Sequence, residues 1–190
     1  MLETRDTSAA TNRRLAMLAG ILAMTVIVAA SNFLVQIQIN DWLTWGAVTY
    51  PVAFLVTDLT NRTLGPAAAR RVIYVGFVFA VGLSAWLATP RIAVASGSAF
   101  LLAQLLDVYI FDRLRRGAWW RAPIVSSTVG SALDTALFFS LAFVGTGVPW
   151  ITLGIGDFGV KMAVAGVMLI PFRAFIAHSH LVYDARRSGA

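Results

Sequence analysis

The chain has 190 residues, 58% of them hydrophobic, with a mean hydropathy of +0.76 and a formal net charge of +6. That much apolar surface excludes a soluble domain of this size, and the lack of cysteine excludes structural disulfides and thiolate metal sites. Apolar runs of about 20 residues, the length that crosses a bilayer, recur along the chain.

The predicted spans are residues 14–35, 42–60, 72–89, 92–111, 123–144 and 158–177. Their short connections leave no room for a separate soluble domain. The expected fold is all-α: one integral membrane domain over 1–190, built as a bundle of six transmembrane helices. The positive charge then becomes a topology signal. Arg5, Arg13 and Arg14 precede span one, and Arg62, Arg70 and Arg71 follow span two. Arg113, Arg115, Arg116 and Arg121 separate spans four and five, and Arg173, Arg186 and Arg187 follow span six. Only Arg91 and Lys161 fall elsewhere. Such bias predicts that both termini face the cytoplasm, and it removes the nucleic-acid reading of the charge.

Residues 1–12 are polar and read as an N-terminal tail. Span one follows Arg13-Arg14, and Val28-Ala29-Ala30 resembles a signal cleavage site, but its apolar core is too long for a signal and a retained helix is expected. Ala16, Ala19, Gly20 and Ala23 give it a face of small residues, suited to close packing in the bundle or against a partner subunit. Span two opens on Trp42 and Trp45, side chains suited to a headgroup boundary. Pro51 predicts a kink. Gly65 can cap the helix and Pro66 can start a short cytoplasmic helix at 67–71. Spans three and four turn at Thr89-Pro90-Arg91. Trp119 and Trp120 mark the inner boundary before span five, and residues 145–156 read as an uncharged outer loop.

Few polar groups lie within the spans. Phe100, Gln104, Asp107 and Phe111 share one stripe of span four, and Ser127, Ser131, Asp134 and Phe138 share one of span five, at helical spacings of three and four. Each stripe joins a carboxylate, a hydrogen-bonding neighbour and an aromatic. That combination suits a flat polar heterocycle: the carboxylate accepts paired N–H donors, an amide reads another edge, and a ring stacks. Bland readings stand beside these. Asp58 can neutralise Arg62 at (i, i+4), Asp107 can pair with Arg113 or Arg62, and Lys161 can pair with Asp157. Asp134 has no basic residue within reach on its own helix, and Lys161 is its predicted cationic partner. His178 and His180 point to different helix faces and make no metal site. No motif for covalent catalysis or phosphate binding occurs, so neither an enzyme nor a cofactor is expected.

TWGA at 44–47, Pro-x-x-Phe-Leu-x-Thr-Asp-Leu-Thr at 51–60, Arg62, Gly65 and Ala69-Arg70-Arg71 resemble the queuosine-precursor transporters, also called the VUT family. Gln104-x-x-Asp107-Val108, Phe111-x-Arg113-Leu114-Arg115, Trp119-Trp120-x-Ala122-Pro123 and Asp134-Thr135-x-x-Phe138-Phe139 continue the pattern in order, as do Ser31-Asn32 and Lys161. The resemblance implies a multi-pass bacterial inner-membrane importer of 7-cyano-7-deazaguanine and 7-aminomethyl-7-deazaguanine. The chain departs from the pattern in a shortened connection between spans three and four.

The resulting expectations are specific. Asp134 and Asp107 read the donor edge of the base, Gln104 and Asn32 act as amide partners, Trp45, Phe138 or Phe111 stacks, and Lys161 balances charge. Asp58, Arg62 and Pro51 are structural or gating positions. The expected partners are a deazapurine substrate and the lipid bilayer, with a homo-oligomer or an energising module left open and no nucleic acid or metal. Two alternatives stand: a substrate-binding subunit of an energy-coupling-factor vitamin transporter, and a non-transporting structural membrane protein.

Overall fold

In the computed structural model, the backbone is described at residues 2–34, 37–40, 43–87 and 89–188, and side chains over most of residues 10–178. The elements are α1 (Leu2–Leu34), β1 (Gln38–Asn40), β2 (Leu43–Thr44), α2 (Trp45–Thr49), α3 (Val52–Leu64), α4 (Pro66–Leu87), α5 (Pro90–Leu114), α6 (Arg121–Phe143) and α7 (Trp150–Ser188). Among the described residues, five helices are long and apolar enough to cross a membrane, with cores at Ala10–Ser31, Pro66–Leu83, Pro90–Leu114, Arg121–Phe143 and Trp150–His178.

The segment expected as span two is composite. β1 and β2 pair antiparallel, and the short α2 follows directly. Pro51 then divides α2 from α3, since it has no N–H to donate. The chain passes the break in tight turns: the Ala53 and Phe54 amides donate to the Tyr50 and Pro51 carbonyls at 3.0 and 3.1 Å. α3 has 13 residues and buries Thr57, Asp58, Thr60 and Asn61, so it is a polar inner helix. Trp42 lies outside the described residues.

Three other boundaries differ from expectation. The polar tail is helical from Leu2, with neither Gly nor Pro before Gly20 to interrupt α1. Residues 67–71 are the first turns of α4, because Gly65, at φ 88°, ends α3 and Pro66 starts the next helix at once. α7 begins at Trp150, which shortens the expected loop at 145–156. The turn into α5 is as expected: Thr89 caps it by accepting from the Ile92 amide, with Pro90 in the first turn. Arg91 reaches across to the Leu141 and Val144 carbonyls at 2.8 and 2.5 Å, satisfying the open end of α6.

The α5–α6 pair makes the largest helix–helix contact, and α1 packs on α4 and α3. At that crossing a Cβ on Gly76 would stand 2.6 Å from Met24 Cγ, so only glycine permits the approach. Gly20 meets Thr60 and Val72 within the bundle, whereas Ala16 and Ala19 are exposed. Met24, Val72, Ile73 and Phe100 form one apolar core cluster. The outer surface carries Leu18, Leu22, Val94, Leu102, Ile155 and Ile170, each at least half exposed. Carboxylates, amides and an ammonium lie inside. This inversion suits a chain solvated by lipid.

Candidate functional site

Most of the buried polar residues fall into two clusters. The first lies where α3, α5 and α6 meet. Thr57, Asp58 and Asn61 share a face of α3; Gln104 and Asp107 face them from α5; Ser126, Ser127 and Ser131 do so from α6, all buried. A Cβ on Gly130 would stand 2.8 Å from Phe54 Cε1 and 3.3 Å from the Ala103 carbonyl oxygen, so a glycine lets α6 lie this close.

The cluster is only partly satisfied. Thr57 donates to Gln104 Oε1 at 2.6 Å, and Asn61 Nδ2 donates to the Val108 carbonyl at 3.1 Å. Ser126 and Ser127 reach Asp58 only at 3.4 and 3.5 Å. Asp107 faces Asp58. Both Asp107 oxygens, Gln104 Nε2 and Asn61 Oδ1 are buried without a hydrogen-bond partner among the described residues. Each such group forfeits about 1–3 kcal/mol. Neither expected arginine pair forms. Arg62 Nη1 donates instead to the Arg115 carbonyl, and Arg115 returns a 3.4 Å bond to the Arg62 carbonyl while pairing with Asp112 at 3.0 Å. Long guanidinium arms therefore tie the ends of α3 and α5 together and leave the aspartates without a cation.

Beside this cluster, between α3, α6 and α7, is a cavity of about 20 Å³, room for about one water. Asp58, Ser127 and Ser131 supply its polar wall. Pro51, Phe54, Met168 and Phe172 supply much of the apolar one. Asp58, expected as structural, is thus the carboxylate at the cavity, with Asp107 facing it from α5.

The second cluster joins α6, α7 and the residue before Pro51, and it is saturated. Lys161 Nζ lies 2.7 Å from Asp134 and 2.6 Å from Asp157. Thr135 donates to Asp157 at 2.8 Å and lies 3.1 Å from Lys161 Nζ, while the Tyr50 hydroxyl donates to Asp134 at 3.0 Å. The Lys161 ammonium also sits 5.4 Å from the Tyr50 ring centroid. Both partners expected for Lys161 are therefore present. Asp134, expected to read the substrate's donors, already has its acceptors engaged.

The expected stacking residues are dispersed. Phe111 is fully buried, edge-to-face with Phe172 at 6.1 Å. Phe138 packs against Phe139 and Phe143. Trp45 is half exposed after the β-hairpin. The Asn32 side chain lies outside the described residues. Sequence reasoning missed Thr57 and Tyr50 as partners and did not place Asn61 at the site. Asn61 was discoverable, because it lies one turn from Asp58 on the same face; no spacing rule pairs Tyr50 with Asp134 on another helix.

The sequence is similar to known proteins along most of its length. The family model described as "Putative vitamin uptake transporter" matches residues 44–89 and 83–176. The two segments meet at the end of α4 and the turn into α5, where the connection is short. A Haemophilus influenzae protein named "Probable queuosine precursor transporter" is 37% identical over an alignment covering 76% of this chain and 79% of the relative. The Escherichia coli "Queuosine precursor transporter" is 33% identical, covering 77% and 79%. A Bacillus subtilis relative, also named "Probable queuosine precursor transporter", is 29% identical, covering 76% of each chain. No solved structure matches. Matched by the family model along most of its length and by relatives at 33% and 37% identity, this chain belongs to the putative vitamin uptake transporter family.

Proposed function

We propose that the chain imports queuosine precursors, guanine-like 7-deazapurines such as 7-cyano-7-deazaguanine and 7-aminomethyl-7-deazaguanine, across the bacterial inner membrane. It acts as a transporter rather than an enzyme. The observation that carries the reading is the set of orphaned atoms around Asp58: two Asp107 oxygens and Asn61 Oδ1 as acceptors, and Gln104 Nε2 as donor. A guanine-like edge offers paired N–H donors next to a carbonyl, which complements that set. A ligand supplying those partners makes hydrogen bonds that the protein's own side chains leave unmade.

A ligand of this size needs a pocket of about 300 Å³ or more, against about 20 Å³ here. The structure is read as a closed form from which α7, opposite Asp58, swings away. The chain crosses the membrane six times as one domain, with β1–α3 as the composite crossing and both termini cytoplasmic. The arginine distribution supports this orientation. So do the contacts that gather Arg62 with Arg115, and Trp119 with Arg173, at one end.

The experiment uses a bacterium unable to make either precursor, fed nanomolar 7-cyano-7-deazaguanine, with tRNA queuosine as readout. Expression of this chain should restore queuosine over an empty vector. No restoration with either precursor, at confirmed expression, rejects the proposal.

A further inference from the structure

The cavity beside Asp58 has neighbours of different chemistry toward its two ends. Toward the α4–α5 turn and the start of α7 lies the ionic network of Lys161, Asp134, Asp157 and Tyr50. Toward the arginine-rich end, Phe172 lines the cavity and packs on Phe111, while the Arg173 guanidinium stacks on Trp119 at 5.0 Å. We infer that the Lys161 network is the outer gate of the transport path, broken to admit substrate and re-formed to enclose it. The inference rests on reading the Asp58 cluster as the substrate site.

Ser127 and Ser131 line the cavity, and Asp134 follows them on the same stripe of α6, about 4.5 Å further along the axis. The network therefore stands between the cavity and the end opposite the arginines. Burial falls off in that direction: side-chain exposure is 6% at Asp134 and 5% at Lys161, then 15% at Asp157.

The charges are shared so that the contact can part. Lys161 and Asp157 are four residues apart on α7, so their bridge travels with that helix. The bridge from Lys161 to Asp134 crosses to α6 and must break if α7 moves. Lys161 then keeps Asp157, and Asp134 keeps one hydrogen bond from the Tyr50 hydroxyl, so opening breaks one of the two bridges rather than both. A lone buried ion pair would resist separation, because each partner would be left bare. Here one cation serves two carboxylates, and the contact can open and close at limited cost. Tyr50 joins it to the α2–α3 break at Pro51, where the helical course is already interrupted.

The test uses a property of the sequence. The chain contains no cysteine, so a single Ser131→Cys reports access to the cavity. Cells expressing it are treated from outside with a membrane-impermeant thiol reagent. Labelling should be slow in the parent background and at least about tenfold faster when Lys161→Met is added, as expected for a shifted open–closed equilibrium. A charge-free background, Lys161→Met with Asp134→Asn and Asp157→Asn, guards against misfolding from unpaired carboxylates and should label equally fast. Unchanged labelling in the charge-free background would overturn the gate. So would an equal rise at Ala122→Cys, at the arginine-rich end, since that signals general loosening. Labelling is read without substrate, so the two readings fail separately: failure of 7-cyano-7-deazaguanine to protect Ser131→Cys counts against the Asp58 cluster alone.

Discussion

The cluster around Lys161 and the cluster around Asp58 are built from similar residues and adjoin within about two helical turns on the same stripe of α6, yet their hydrogen bonding is opposite. Around Lys161, two carboxylates, a hydroxyl, a phenol and the ammonium all find partners between 2.6 and 3.1 Å. Around Asp58, four buried polar atoms find none among the described residues. Complete pairing is what a fold needs from charges it buries for its own integrity. Incomplete pairing costs stability, and it is what a binding site requires if the missing partners arrive with a ligand. On the proposed reading, the contrast assigns closure to Asp134 and recognition to Asp58 and Asp107.

That separation can be broken at its strongest point by charge removal. Lys161→Met leaves Asp134 and Asp157 buried without a cation and should cost about 3–5 kcal/mol of stability, read as a lowered melting temperature in detergent. Asp107→Asn should behave oppositely. Its stability should fall by no more than about 1 kcal/mol, since Asn keeps the size of Asp and no carboxylate hydrogen bond is broken. Its uptake should fall about a hundredfold, near the worth of one or two hydrogen bonds to a charged group. If Asp107→Asn melts far below the parent, the cluster is structural and the contrast fails. Gln104→Leu sharpens the distinction further: uptake should drop about tenfold, with a modest stability loss of about 1 kcal/mol from the stranded Thr57 hydroxyl. The smallest effect belongs to Tyr50→Phe, which removes one hydrogen bond to Asp134. It should cost about 1 kcal/mol while leaving substrate affinity unchanged, as equilibrium binding would measure.

Much of this division is legible in the sequence. The stripes of α5 and α6 follow from helical spacing, and Gln104, Asp107, Ser131 and Asp134 are all buried. The Lys161 partners could also be anticipated, because Asp157 stands at (i, i+4) and Asp134 lacks a cation of its own. What sequence spacing could not supply is register between helices. Asp58 and Arg62 have ideal spacing for a pair, but Arg62 reaches to the end of α5 instead. By spacing alone Asp134 is the freer carboxylate and Asp58 the neutralised one, whereas the structure reverses them. The composite second segment was hidden for a related reason. Hydropathy averages over a window and does not register that α3 buries its polar face against α5 and α6, nor that Pro51 breaks the helical course.

The most direct measurement is equilibrium binding of 7-cyano-7-deazaguanine to purified protein, comparing the parent chain with Asp107→Asn and Tyr50→Phe. Saturable binding by the parent, retained in Tyr50→Phe and weakened about a hundredfold in a folded Asp107→Asn variant, is the predicted result. Equal affinity in the parent and Asp107→Asn would contradict the assignment of recognition to the unsatisfied cluster.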